Sequence, residues 1–465
     1  MTATALTEVK TDICVIGAGS GGLSVASGAA QMGARVVLIE GGEMGGDCLN
    51  VGCVPSKALL AGARAGMSFE QAMSHVRATI ARIAPHDSQT RFEGLGCHVI
   101  RAKARFAGPS VVEAGPHRIR ARRFVIATGS RPFVPPVPGL SEVPYLTNET
   151  LWSLPHCPSH LVILGGGPIG VEMAQAFRGL GAEVTLIEAR RLLGREDPEA
   201  VAYLRDRLQE RGVALREGVQ VTQVSAEARE AGDITVTLED GSEVMGSHLL
   251  VATGRQPTLE ALNLSSAGVE ADAGGVRVDA HLRSTNRRVY AIGDVVSGGA
   301  RFTHVAGAQA SMIVRALMFG LPARFRGNHI PHVTYTDPEL AQVGLTEAEA
   351  RDKYGNRLRV EKLSYQDNDR AIAMGQGAAG FIKLMVVKGR PVGVTLVGPQ
   401  AGELIATWAL TLSAGLPLRK IAGMVAPYPT LSELNKRVAG AYLSPQLFDN
   451  VWIKRVVRGV QKWLP

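Results

Sequence analysis

One unit is written twice in this chain, and the repetition limits what the chain can fold into. Residues 11–16, TDICVI, read as a short buried strand. They lead into Gly17, Gly19 and Gly22 of GAGSGG, then a helical stretch, then a second strand, RVVLIE, ending at Glu40. Residues 160–167, HLVILGGG, open the second copy with Gly165, Gly167 and Gly170, and its second strand, EVTLIE, ends at Glu188. Both acids fall 23 residues after the first glycine. A third element repeats as well: FVIATGSRP at 124–132, with Gly129, and LLVATGRQP at 249–257, with Gly254. In a strand, G-x-G-x-x-G, helix, strand, acid unit the glycines allow a tight turn and close approach of a pyrophosphate to a helix N-terminus, and the acid accepts ribose hydroxyls. The pattern predicts an α/β protein with two Rossmann-like dinucleotide-binding domains of one plan.

Between these units lies GGDCLNVGCVPSK, residues 45–57. Its glycines suit a tight loop, and Pro55 with the run from Ser56 to Leu60 predicts a helix beginning around Cys53. A cysteine at a helix N-terminus sits near the positive end of the dipole, which favours its thiolate. On spacing alone, Cys48 and Cys53 fit an exchangeable disulfide, two buried thiols or half of a metal site. The five cysteines form an odd, sparse set, which does not read as a secreted disulfide framework. No secretory leader pattern opens the chain and no apolar run reaches about 18 residues, so a cytoplasmic protein is expected. Net charge is +8, and Lys454, Arg455, Arg458 and Lys462 of the acid-free stretch 451–465 supply half of it. The rest is diffuse and carries no nucleic-acid-binding signature. His156-Cys157-x-x-His160 lies in a proline-bounded linker, and no resident metal site is expected; Cys14 and Cys97 read as buried apolar residues.

The string around Cys48 and Cys53, with the two glycine loops and the string VYAIGDVV at 289–296, resembles the flavin-dependent pyridine nucleotide-disulfide oxidoreductases. That family includes dihydrolipoamide dehydrogenase, glutathione reductase and mercuric reductase. The resemblance runs from about Ile13 to Tyr442. It implies FAD on the first glycine loop and NAD, or less favourably NADP, on the second. It implies that Asp294 binds the flavin's ribityl chain, and that FTHVAGAQA at 302–310 opens a helix under the flavin. Residues 1–150 and 284–330 then form a discontinuous FAD domain, 151–283 the nicotinamide domain, and 331–465 an α+β dimerisation domain, so a homodimer is implied with active sites shared between subunits. Cys48 and Cys53 become a redox disulfide, Cys53 the flavin-facing thiol and Cys48 the interchange thiol. Lys57 matches the lysine beside the flavin and Glu172 its ion-pair partner. Glu188 favours NAD, because a carboxylate there accepts 2′-OH bonds and repels a 2′-phosphate; Arg190 and Arg191 moderate that repulsion. Pro168 stands where some relatives have a tyrosine over the nicotinamide pocket.

The sequence departs from the family near its end. Disulfide-reducing relatives have His-Pro-Thr followed by Ser-Glu, the histidine acting as acid/base for the thiols. This chain reads Tyr428-Pro429-Thr430-Leu431-Ser432-Glu433, with no histidine after His332. Mercuric reductase has a tyrosine there too, but also a C-terminal cysteine pair, and the last cysteine here is Cys157. A disulfide or dithiol acceptor, small or protein-bound, and a metal-ion acceptor, Hg(II) or Cu(II), both stay open, as does a membrane-associated electron-transfer flavoprotein whose acceptor is a protein or quinone. Glu433 is expected to bond Tyr428.

Elsewhere, 62–85 reads as one surface helix, and 98–125 and 232–251 as strands and hairpins. Helices are expected at 346–354 (capped by Thr346), 402–414 and 431–442, and strands at 380–388 and 391–398. The tail 451–464 has the pattern of a basic amphipathic helix, suited to peripheral membrane contact or to packing on the dimer.

Overall fold

The computed structural model describes residues 6–226, 234–376 and 380–464. Residues 232–233 of the expected hairpin segment lie outside this range, as do the ends of the outermost domains, 1–5 and 465. The chain forms two compact units: residues 1–190 with 213–327, and residues 191–212 with 328–465.

In the first unit, valine- and isoleucine-rich runs become buried parallel strands. Thr7–Ile16 lies between Val36–Glu40 and His117–Ile126, with Cys97–Arg101 outside Val36–Glu40. Registers such as Cys14↔Val37 and Cys14↔Phe124 bury Cys14 completely. The later strand Val289–Ala291 joins the same sheet beside His117–Ile126, so residues some 160 positions apart share one core. Ala104–Gly108 and Val111–Ala114 extend that strand as an antiparallel ribbon. A second parallel sheet has the order Ala214–Glu217, Glu183–Glu188, His160–Leu164, His248–Val251, Tyr145–Leu146. A three-stranded antiparallel sheet, Val221–Ala226, Ile234–Leu238 and Glu243–Gly246, accompanies it. The ends of the two ATG strings pair with each other: Ser130–Pro132 runs antiparallel to Arg255–Pro257.

The expected single helix at 62–85 is two. One ends at Arg64; the next runs Phe69–Ile83. Gly66 takes a positive φ of 69°, and Ser68 and Gln71 form a reciprocal capping box, which together start a new helix. Nor is that helix wholly superficial, since Phe69, Ala72, Met73 and Val76 are buried.

The second unit is an antiparallel sheet, Pro331–Thr334, Glu339–Gly344, Arg390–Gly398, Phe381–Val387, Leu358–Ser364, packed with helices Ala401–Ser413 and Glu433–Phe448. Thr346 caps Glu347–Tyr354 as expected. Buried Trp408 donates to Asn435 Oδ1 at 2.7 Å, and Asn435 donates to Leu404 O at 3.1 Å. Residues 191–212, read from sequence as part of the nicotinamide segment, belong to this unit. Lys383, 4% exposed, holds Asp197 at 3.0 Å, Glu199 at 2.7 Å and Glu347 at 2.9 Å. A buried ammonium requires such a cage.

Candidate active site

The two glycine loops are the same object built twice. Gly17 and Gly165 have φ of 104° and 109°. A Cβ on either would stand 2.4 or 2.5 Å from the carbonyl oxygen of Ala127 or Ala252. A Cβ on Gly22 or Gly170 would lie 1.9 Å from the oxygen of Gly17 or Gly165. The first and third glycines are therefore demanded by the fold itself. The middle ones are not: Gly19 meets only the Gly46 Cα at 4.0 Å, and Gly167 meets nothing within 4 Å. They cap helices Ser20–Gln31 and Pro168–Gly179 and leave open space at the N-termini, where backbone N–H groups and the dipole receive an anion. Gly129 and Gly254 have positive φ and open surroundings as well.

The acids repeat the symmetry. Glu40 accepts from Ala18 N and Gly42 N, each at 2.6 Å. Glu188 accepts from Gly166 N at 2.7 Å and Arg190 N at 2.9 Å. Each carboxylate is thus fixed against its own glycine loop by one oxygen and against the turn after its strand by the other. Arg190 is exposed, and Arg191 donates to Gly194 O at 2.8 Å.

The cysteine loop docks on the first glycine loop. Gly45 N donates to Ala18 O at 3.0 Å, and a Cβ on Gly46 would come within 2.7 Å of Gly19 Cα. Helix Cys53–Arg64 begins at Cys53, as its sequence predicts. The neighbouring Cys48 side chain, with Thr303 and the Lys57 ammonium, lowers the Cys53 thiol to about 6. Proximity to Cys53, with burial, pushes the Cys48 thiol well above its ordinary value. The charge in a reduced pair therefore rests on Cys53. Thr303 Oγ1 lies 3.6 Å from Cys53 Sγ, at the start of helix Thr303–Phe319. Lys57 Nζ donates to Glu172 Oε2 at 2.7 Å; the Glu172 side chain is 4% exposed.

Asp294 accepts from Ser130 Oγ at 2.7 Å. Arg255 joins that bond to the cysteine loop: Nε donates to Ser130 Oγ at 2.7 Å, Nη1 to Asn148 Oδ1 at 3.3 Å, and Nη2 to Ser130 O at 2.6 Å and to the Asp47 carboxylate. Asn148 and Trp152 donate in turn to Val51 O. Sequence reading passed over Thr303 and Arg255. Arg255 carried a signal, since laying the two ATG strings over each other puts it opposite Ser130, a charge against a small hydroxyl.

In the second unit, Tyr428 is 70% exposed and donates to Asp369 Oδ2 at 3.0 Å, not to Glu433 as expected from sequence. That bond raises the phenol above its ordinary value. Glu433 opens helix Glu433–Phe448, and its Oε2 is buried with no hydrogen-bond partner among the described residues. His160 contacts the Thr185 hydroxyl at 2.9 Å and Cys157 donates to Leu180 O at 3.6 Å, while His156 is exposed.

Comparison with known proteins agrees with this geometry. Residues 11–310 match the family profile of the pyridine nucleotide-disulphide oxidoreductases, and 330–439 that of their dimerisation domain. The chain is 35% identical to a mercuric reductase of Streptomyces lividans over 93% of its own length and 96% of that protein's. It is 36% identical to a dihydrolipoyl dehydrogenase of Thermus scotoductus, covering 91% and 95%. Among solved structures, the Cu(II) complex of the HOCl-induced flavoprotein disulfide reductase RclA from Escherichia coli superposes with a TM-score of 0.86 at 29% identity, covering 93% of this chain and 99% of that one.

Proposed function

Because this chain belongs to the pyridine nucleotide-disulphide oxidoreductases, FAD-dependent enzymes that use a pyridine nucleotide and dimerise through their C-terminal domain, we propose that it is an NADH-consuming reductase whose Cys48–Cys53 dithiol delivers electrons to a thiophilic metal ion, Hg(II) or Cu(II). The observation that carries this reading is Tyr428: a phenol, raised by Asp369, stands where the disulfide-reducing pattern has an imidazole.

The loops fit a dinucleotide, since Gly19 and Gly167 leave room at their helix N-termini while the first and third glycines of each loop cannot carry a side chain. We assign FAD to Gly17, Gly19, Gly22, Glu40, Gly129 and Asp294, and NAD to Gly165, Gly167, Gly170, Glu188 and Gly254. We likewise assign 1–150 and 284–330 to flavin binding and 151–283 to nicotinamide binding, with 191–212 attached to the C-terminal unit. Bound FAD supplies a two-electron relay between a nicotinamide and the cysteine pair. Glu172 holds Lys57, whose charge keeps Cys53 ionised. Thr303 bonds the Cys53 sulfur. Cys48, carrying the proton, meets the acceptor. Oxidation of the dithiol to its disulfide releases two electrons and two protons, enough to reduce one Hg(II) to Hg(0) or two Cu(II) to Cu(I). A hydride equivalent and one proton restore the dithiol. Through the dimer, Tyr428 of one chain is assigned to the thiols of the other, as proton or hydrogen-bond donor.

A second reading, reduction of a disulfide, is favoured by the retained Pro429-Thr430 and Ser432-Glu433 around the tyrosine. NADH oxidation measured with Hg(II), Cu(II), lipoamide and glutathione disulfide separates the two. Turnover with a metal that is lost in both Cys48→Ser and Cys53→Ser supports the first. Lipoamide or glutathione disulfide turning over ten times faster than either metal, on the order of 1.4 kcal/mol in the barrier, replaces it with the second.

A further inference from the structure

The tail beyond the matched dimerisation domain, which stops at residue 439, has a chemistry of its own. Helix Val451–Val460 is capped by Asn450, whose Oδ1 accepts from Trp452 N at 2.9 Å and Ile453 N at 3.3 Å. Its winding continues through Trp463 and Leu464, both bonded back to Val460 O. At about 100° per residue, Trp452, Ile453, Val456, Val457, Val460, Trp463 and Leu464 fall on one arc. Lys454, Arg455, Arg458 and Lys462 fall on the opposite one, and no acid occurs from 451 to 465. No residue of the helix is buried; Trp452 is 73% and Trp463 89% exposed. The Arg455 guanidinium lies over the Trp452 ring at 5.3 Å, the posture of a long cation reaching past an aromatic toward a charged layer.

We propose that this helix docks the enzyme on an anionic lipid surface, lying in the headgroup layer with its tryptophan arc inward. Tryptophans on one side and a cationic arc without an acid on the other match an interface of negative headgroups above hydrocarbon. Pairing with a second copy's helix would set four more positive charges beside these four, so charge argues against that occupant. The helix lies on the bilayer and does not cross it: among the described residues no helix is long and apolar enough to span. This placement is independent of which acceptor the thiols reduce.

The test uses the full-length holoenzyme and floats it with phosphatidylcholine vesicles, with or without about one third phosphatidylglycerol. Binding is expected to the anionic vesicles alone and to fall as salt rises. Replacing Lys454, Arg455, Arg458 and Lys462 by Gln should lower the partition coefficient roughly 100-fold or more, at about one charge's worth of attraction per residue. Trp452→Ser with Trp463→Ser should abolish flotation while leaving flavin content and dimer mass unchanged. Equal binding to both vesicle types, no binding to either, or indifference to the glutamine substitutions overturns the proposal. So does a tryptophan variant that turns monomeric by light scattering, which would assign the arc to a second copy.

Discussion

Arg255 is ion-paired with Asp47, the residue immediately before Cys48, while its Nε bonds the same Ser130 hydroxyl that donates to Asp294. One guanidinium, 18% exposed, therefore ties the cysteine loop to the assigned ribityl site. A planar fork can hold these divergent acceptors; an ammonium cannot. We expect Arg255→Lys to fold and bind flavin but to lower kcat roughly 10- to 100-fold, as a displacement of about 1 Å does, with KM for NADH little changed. Unaltered kcat in Arg255→Lys and Arg255→Met would show that the loop is held without it.

Thiol reactivity tests the charge assignment. In the reduced enzyme the first proton leaves the pair with Cys53 at about 6. The thiolate fraction grows as pH rises through that value, so alkylation by iodoacetamide should climb from pH 5 and level off above about 7. Lys57 lowers Cys53 and Glu172 raises it. Lys57→Met should therefore shift the profile to higher pH, and Glu172→Gln to lower pH if Lys57 stays in place. Lys57→Met leaves the Glu172 carboxylate, 4% exposed, buried without its partner, so a loss of stability of order 3 kcal/mol should accompany it, whereas Glu172→Gln leaves Lys57, 36% exposed, within reach of water and should cost less. A wild-type profile centred near 8.5, the value of an ordinary thiol, and unmoved by Lys57→Met would reject the assignment.

The architecture was legible because it is periodic and repeated. Two glycine loops with acids at equal spacing can be read from letters, and the atoms that enforce them, Ala127 O and Ala252 O, come from the other repeated string. Lys57 and Glu172 were found only by resemblance, since a pair separated by 115 in sequence carries no local signal. The break at Gly66 was missed because the helical period survives it; only the Ser68–Gln71 box marks a new start. That residues 191–212 cluster with the C-terminal unit is not legible in the letters either. Their partners lie more than a hundred positions later: buried Lys383 holds Asp197 and Glu199, His332 pairs with Glu196 and Asp337 with Arg211, and periodicity reads Lys383 as one more sheet position.

We expect cofactor choice to turn on Glu188. Its carboxylate is fixed by Gly166 N and Arg190 N, so it cannot swing away to admit a 2′-phosphate without losing two backbone bonds. NADH should exceed NADPH in kcat/KM by roughly 10-fold or more, one to two charge-assisted hydrogen bonds' worth. Glu188→Ala should narrow the gap, chiefly by improving NADPH. A wild type that prefers NADPH would mean that exposed Arg190 outweighs the carboxylate.

We expect Tyr428 to set the direction of the reaction. Oxidising a dithiol near neutral pH needs a group that accepts its proton, and an imidazole near 6.5 does so where a phenol near 10 does not. Asp369 makes the phenol a weaker acid still, because its carboxylate accepts the phenolic hydrogen and repels the phenolate. The enzyme should therefore consume NADH readily and oxidise dihydrolipoamide slowly at pH 7, the slow rate rising with alkalinity as the substrate ionises by itself. Glu433, whose Oε2 is buried with no hydrogen-bond partner among the described residues, is the group that an imidazole five residues earlier in the chain would need as its orienter. Tyr428→His should thus raise dihydrolipoamide oxidation at pH 7 by roughly 100-fold, the lower end of what a positioned base contributes. In the double variant Tyr428→His, Glu433→Gln most of that gain should disappear. The NAD+-dependent rate from pH 6 to 9 in wild type, Tyr428→His and Tyr428→Phe decides the matter. A wild type that oxidises the dithiol at pH 7 as fast as it reduces any acceptor, with Tyr428→Phe indistinguishable from it, would remove the tyrosine from the mechanism.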